Sequence, residues 1–271
     1  MKELSEQARV VLLVDHKVRD LMTDVLIARH LKQLGVKCFL EPLEAWQGVL
    51  AAHRPDMIIF NHVNAPHLVK YTKRLAEIGV QTAILPNEGI IYDPEALAFV
   101  AGKYHNDAHI DLFFCWNEAH KRALIQCGFD QHARIEVIGV PRFDFYLQPW
   151  SRMFSPPAAT KKSARPKILF CTNFGFAHFF ELPKERSDTF FECYQGAIPS
   201  YRDYWKLVEA NHKARQKVIP FLDAVARSDK FDLLLRPHPR EPIAFYQAWL
   251  DTLPEKFVAT CAWMKAPISP A

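Results

Sequence analysis

The 271-residue chain has no Cys-x-x-Cys pair, no long block of lysine and arginine, and no apolar stretch long enough to cross a bilayer. Each absence removes a class of protein. The six cysteines (Cys38, Cys115, Cys127, Cys171, Cys193, Cys261) are scattered without zinc spacing. Several fall inside apolar runs, so buried free thiols in a reducing compartment are expected. Net charge is +4 from 34 basic and 30 acidic residues. That mild balance suits an anionic small molecule or a membrane surface, and without a basic block nucleic acid is not an expected partner. Glycine is scarce, nine in all, and none lies in "VDHKVRDL" after the first apolar run. The Gly-x-Gly-x-x-Gly turn of a dinucleotide enzyme is therefore missing. No DxD-like metal motif, internal repeat or low-complexity tract is present, and no metal is expected. The N-terminal "MKELSEQARVVLLVD" places charges before only a short apolar run, the pattern of neither a signal peptide nor a membrane span, so a cytoplasmic location is expected.

What is present is an alternation. At 49% hydrophobic and 24% charged the composition is that of a globular protein. "RVVLLVD" (9–15) reads as a strand buried on both faces, and 19–35 as a helix with Leu21, Val25, Ala28, Leu31 and Leu34 at helical spacing. Strands are expected at 36–42, 55–62, 80–89, 111–117 and 135–144, with helices at 44–54, 65–79 and 118–128. This rhythm predicts a parallel, doubly wound α/β sheet over residues 1–150. Residues 151–166 lie in a stretch rich in Pro, Ser, Ala and basic residues and read as a linker. A second α/β region over 167–271 has strands at 167–176 and 231–239, a third around 256–263, and a helical stretch at 201–227 broken or ended near Pro220. With so few strands it reads as an incomplete domain with an open sheet edge, which a partner chain would complete.

Ligands of such sheets sit at the carboxyl ends of strands. Asp15, Asn61, His62, Asn87 and Glu88 fall there, and each has a plain alternative as a residue that satisfies a strand end. In "PNEGI" (86–90) Gly89 suits a turn, and Glu88 is a carboxylate placed for acid/base work. In "VRDLMTD" (18–24), Arg19 and Asp20 face a ligand, or Asp20 or Thr23 caps the following helix. Arg142 in "GVPRFD" (139–144) either pairs with Asp144 in solvent or holds an anion. The "TNFGF" turn (172–176), with Asn173 and Gly175, offers backbone amides to a phosphate, while Phe174, Phe176, Phe179 and Phe180 read as packing. The strongest signal is "LLLRPHPRE" (233–241). Pro237 and Pro239 stiffen a strand exit that carries His238 between Arg236 and Arg240. Two arginines and a histidine at one strand end suit a phosphate.

Six of these segments, "VRDL", "NEGI", "LFFCWNE", "GVPRFD", "TNFGFAH" and "LRPHPRE", occur in the same order as the motifs of the bacterial surface carbohydrate biosynthesis proteins, a family of GT-B-type glycosyltransferases. From Val11 to Trp249 the chain resembles that family. It departs at Asn117 (usually Gly), Val140 (usually Asn) and His178 (usually Asn), and lacks the family's later Ser/Thr-rich phosphate segment. More loosely it resembles CMP-sugar-dependent sialyl- and Kdo-transferases. There, an acidic-Gly motif, here Glu88–Gly89, supplies the catalytic carboxylate, and a His-Pro motif, here His238–Pro239, binds the nucleotide phosphate.

The resemblance implies two Rossmann-like domains and transfer of a sugar from a nucleotide donor to a glycan acceptor, with CMP among the candidate nucleotides and no other cofactor. It implies Glu88 as catalytic base, a phosphate site of Arg236, His238, Pro239, Arg240, Asn173 and Gly175, and an acceptor side of Arg19, Asp20, His62, Gly89 and Arg142. Work on surface glycans would bring the chain to the inner face of the cytoplasmic membrane. The competing expectations are a fragmentary, non-catalytic transferase acting as a binding module or split subunit, and a Rossmann-like sugar-phosphate enzyme such as an epimerase.

Overall fold

A computed structural model describes residues 7–87, 98, 101, 102, 104, 106–154, 165–195, 201–254 and 261–263. The chain divides into two compact units, Met1–Ser155 and Pro156–Ala271. Among the described residues no helix is long and apolar enough to cross a membrane.

The first unit is built on a six-stranded, wholly parallel sheet. Its strands are β1 (Arg9–Val14), β2 (Lys37–Pro42), β3 (Met57–Phe60), β4 (Gln81–Ile84), β5 (Leu112–Cys115) and β6 (Arg134–Val137), in the order β2-β1-β3-β4-β5-β6. The continuous apolar runs at β1 and β3 are explained by this sheet, which is covered on both faces. Alternate residues Val11, Leu13, Ile58, Phe60, Ile84 and Phe113 enter one core, with Leu68, Tyr71 and Leu75 of α3 (Pro66–Glu77) and Leu124 of α4 (Glu118–Gln126). Val10, Leu12, Ile59 and Ala83 enter the other, against Ile27, Ala28 and Leu31 of α1 (Leu21–Gln33). The chain turns left from β1 to β2 and then returns to the right of β1 for β3. The order therefore reverses between β1 and β3, where a Rossmann-like sheet opens its ligand crevice.

Several local expectations need correction. The 44–54 helix is a 3-10 turn over Leu43–Gly48 followed by the short α2 (Val49–His53). The strand expected over 135–144 is only β6, and Arg142 lies in a 3-10 turn over Pro141–Tyr146 beyond it. Gly139, with φ of +79°, supplies the left-handed turn that separates the two. The larger correction is in α1. Leu21, Val25 and Leu34 are exposed, at 38%, 48% and 79%, while Thr23 and Asp24 are buried. The first turn of this helix faces its polar side inwards. Among the described cysteines Cys115 is buried, Cys38 and Cys127 are half-buried and Cys171 is exposed, all as free thiols.

The second unit has a three-stranded parallel sheet, β7 (Lys167–Cys171), β8 (Asp232–Arg236) and β9 (Cys261–Trp263), in the order β7-β8-β9. One face, with Ile168, Phe170, Leu233 and Leu235, packs against Leu222 and Ala226 of α6 (Tyr204–Arg227) and Trp249 and Leu250 of α7 (Ile243–Leu250). Pro220 lies inside α6 without ending it. Pro220 and Gln216, whose carbonyl loses its helical donor, are both on the exposed side, so water can satisfy that carbonyl. A hydrophobic cluster of Phe179, Phe191, Tyr204 and Val208 joins α5 (Lys184–Gln195) to α6, with Phe176 and Phe190 against it. The phenylalanines of 174–180 thus serve mainly as packing.

Candidate functional site

Two groups of polar side chains stand out, each at the carboxyl ends of parallel strands. In the first unit, Asp15 follows β1 and Asn61 follows β3, and the Asn61 Oδ1 accepts from the Asp15 amide at 3.1 Å across the switch point. Arg19 donates to Asp15 at 2.5 Å and to Asp20 at 2.9 Å. Asn87, beyond β4, donates to both carboxylates at 3.2 and 3.1 Å. Asp20 also accepts from the His16 amide at 3.0 Å and makes no side-chain cap to α1. The capping role is therefore overturned: the carboxylate is spent on the network. His62 is peripheral, with Nε2 3.8 Å from Asp15. Arg142 stacks over the Trp116 ring at 5.2 Å, and the Trp116 indole donates to the Pro86 carbonyl at 2.8 Å.

Arg19, Asp20, Asn61, Asn87, Trp116 and Arg142 line a narrow pocket whose wall also includes Thr23 and Asp24. Asp24 is only 2% exposed, and its Oδ2 has no hydrogen-bond partner among the described residues. Burial, with the Asp20 carboxylate beside it, pushes its pKa up to about 7. Sequence reasoning missed Asp24 because apolar spacing assigned the inward stripe to Leu21 and Val25. The signal that could have found it is two adjacent polar residues in the first turn of a helix that follows a buried strand. Glu88 and Gly89 lie outside the described residues.

In the second unit, Glu241 ties the "RPHPRE" turn to the end of β7. It is 5% exposed. Its Oε1 accepts from Thr172 Oγ1 at 2.6 Å, the Phe174 amide at 2.9 Å and the His238 amide at 3.3 Å, and its Oε2 from the Tyr246 hydroxyl at 2.5 Å. These four donors give a buried carboxyl group the hydrogen-bond partners that burial denies it from water. The Phe174 amide is thereby consumed and is not available to a phosphate. Gly175 is needed for another reason: a Cβ there would stand 3.3 Å from His238 Nδ1 and 3.5 Å from the Arg240 Cβ.

His238 is half-buried, and its Nδ1 accepts from the Arg240 amide at 3.1 Å. The neutral imidazole therefore carries its proton on Nε2. Burial lowers its pKa, with Arg240 adding to the effect and Glu241 opposing it. It is a neutral donor, not a fixed positive charge. Arg236, Asn173, Pro239 and Arg240 are exposed, and Arg240 lies 5.9 Å over the Phe190 ring. Missed altogether was Arg215 of α6, which is 0% exposed. It pairs with Glu181 and lies 3.8 Å over the Phe245 ring, while its Nε and Nη1 have no partner among the described residues. Among the described residues no cluster of His, Cys, Asp and Glu could hold a metal ion.

Comparison with known proteins finds no matching family model, no matching curated protein and no matching solved structure.

Proposed function

We propose that the chain is a glycosyltransferase of the GT-B type that moves a sugar from a nucleotide donor to a glycan acceptor. The second unit would hold the donor and the first the acceptor. The observation that carries this reading is the Glu241-locked turn, which presents a neutral His238 with its proton on Nε2 next to Gly175 and Arg240. A fixed hydrogen-bond donor beside a cation at a strand end suits a phosphate on which charge develops as it leaves. The switch-point network of Arg19, Asp20 and Asn87 in the first unit supports the acceptor side. Glu88, by its resemblance to the acidic-Gly motif, is the proposed base, and the work would take place at the inner face of the cytoplasmic membrane.

Calorimetry with CMP, CDP, UDP and GDP tests the donor side. Binding of at least one is expected, with His238→Ala weakening it by about 1–3 kcal/mol. No heat from any nucleotide with folded protein would sink the assignment. Glu88→Gln should lower turnover while nucleotide affinity holds.

A further inference from the structure

Beside the narrow pocket the first unit has a wider opening. It is a cleft of about 660 Å³, lined by Val18 and Met22 at the start of α1, by Phe143, Phe145 and Tyr146 of the 3-10 turn after β6, and by Phe154 of a further 3-10 turn over Trp150–Phe154. Ring contacts set its walls: Phe143 meets Tyr146 edge to face with centroids 5.8 Å apart, and Phe145 meets Phe154 in the same way at 5.9 Å. The apolar groups stay uncovered. Tyr146 is 78% exposed and Phe154 57%, and Val18, Met22 and Phe143 are exposed as well. Proteins seldom leave adjoining large apolar side chains in water, and a patch of them marks a place for a partner. The volume is that of a small-molecule site.

Arg142 gives the cleft its charge. It is half-buried, with its guanidinium 5.2 Å from the centroid of the Trp116 ring and 5.9 Å from that of Phe143. Among the described residues no carboxylate pairs with it. The other arginine of the lining, Arg19, is spent on Asp15 and Asp20. A guanidinium held over rings without a counter-charge is a place for an anion. The other hydrogen-bonding side chains of the lining are Thr23, Tyr146 and Ser151. They are too few for a sugar ring or a peptide, whose polar groups would be left unmatched against the aromatic wall. An apolar chain that ends in an anionic group meets both features, with the rings taking the chain and Arg142 the charge. Arg19, Thr23 and Arg142 line the narrow pocket too, so the charge is taken where the two openings meet.

We propose that this cleft binds a single-chain amphiphile with a phosphate head, the chain against Phe143, Tyr146 and Phe154 and the phosphate on Arg142. On the glycosyl-transfer reading the acceptor is then carried on a lipid through that phosphate. A phosphate diester joins a chain to a sugar and keeps a negative charge, whereas a carboxyl group loses its charge when it is esterified. The lipid-linked acceptor rests on the transfer reading; the anionic amphiphile rests on the cleft alone.

Calorimetry on the full chain tests this with decyl phosphate below its micelle concentration, with decanol and with inorganic phosphate. Decyl phosphate should bind, decanol about tenfold more weakly for want of the charge-assisted contact, and inorganic phosphate without measurable heat. Arg142→Gln should bring decyl phosphate down to the affinity of decanol and leave decanol unchanged, while Arg142→Lys should restore part of the difference. Tyr146→Ser combined with Phe154→Ser alters two exposed side chains, at little cost to the fold, and should weaken decyl phosphate and decanol together. Equal affinity for decyl phosphate and decanol, equal affinity for inorganic phosphate, unchanged binding by the double variant, or no heat from decyl phosphate would each overturn the cleft. So would sedimentation with phosphatidylglycerol vesicles by a protein that does not bind free decyl phosphate, which would make the patch a membrane surface. The nucleotide titration separates the two readings. Nucleotide binding without decyl phosphate binding removes the cleft and leaves the transferase, whereas Arg142-dependent decyl phosphate binding without nucleotide binding removes the transferase and leaves the amphiphile site.

Discussion

At the scale of single residues, two buried titratable groups pull stability in opposite directions with pH. Asp24 is raised from 3.8 to about 7 by burial and by Asp20, so the folded state holds a proton that the unfolded state has lost. Its contribution is complete below pH 3.8 and is lost as pH rises to about 7, on the order of 4 kcal/mol in all. His120 of α4 is 5% exposed, and burial lowers its pKa from 6.5 to about 4. Here the unfolded state binds the extra proton, so stability is complete above pH 6.5 and is lost as pH falls to about 4, about 3 kcal/mol. Between pH 4 and 6.5 the two slopes cancel, and the wild type should be flatter than either group alone would make it. Chemical denaturation across that range would show it. Relative to wild type, Asp24→Asn should gain stability as pH rises to 7 and hold the gain above it. His120→Phe should gain as pH falls from 6.5 to 4. Parallel curves for wild type and both variants would show that neither group titrates in this way.

At the scale of elements, α4 gives a local test. Asn117 is its N-cap, with Oδ1 accepting from the His120 amide at 2.9 Å. That hydrogen bond explains a residue which in the resembled family is usually glycine. Asn117→Ala should cost about 1 kcal/mol and Asn117→Gly only a few tenths, measured by urea denaturation; an equal cost for both would remove the cap from the account. The strands β1, β3 and β5 were legible because a strand covered on both faces must be apolar throughout, and such runs stand out in a sequence. The face of α1 was not legible. Spacing alone favours Leu21 and Val25, and only the network of Asp15, Arg19, Asp20 and Asn87, drawn from two strand ends 72 positions apart, shows why the first turn is rotated. The Glu241 lock was hidden for the same reason. Its partners Thr172 and Phe174 lie 69 and 67 positions away, so the "RPHPRE" turn looked stiff by its prolines when a buried carboxylate does much of the fixing. Pro220 shows the reverse error, since a local breaker is tolerated where the lost hydrogen bond faces water and the opposite side of α6 is packed.

At the scale of the whole molecule, the two units differ in how their sheets are covered. The six-stranded sheet sends alternate residues into packed cores on both faces. The three-stranded sheet packs one face, through Ile168, Phe170, Leu233 and Leu235. On its other face Leu169 is 47% exposed, and Cys171 and Arg236 are exposed as well. Each apolar square ångström removed from water contributes about 25 cal/mol, so a sheet covered on one side has less to set against the entropy of ordering its chain. Among the described residues no strand pairs with the outer edge of β7, an edge of the kind to which another chain can add. The second unit should therefore be the less stable, and unfolding should proceed in two steps with the Pro156–Ala271 unit going first. The sequence carries the trypsin-type residues Lys161, Lys162 and Arg165 beside the division between the units. Limited digestion should cut there, after which the N-terminal fragment should outlast the C-terminal one severalfold on a gel. A single cooperative transition from a monomer, with both fragments equally resistant, would show that the exposed face of the small sheet costs nothing and that the two units stand or fall together.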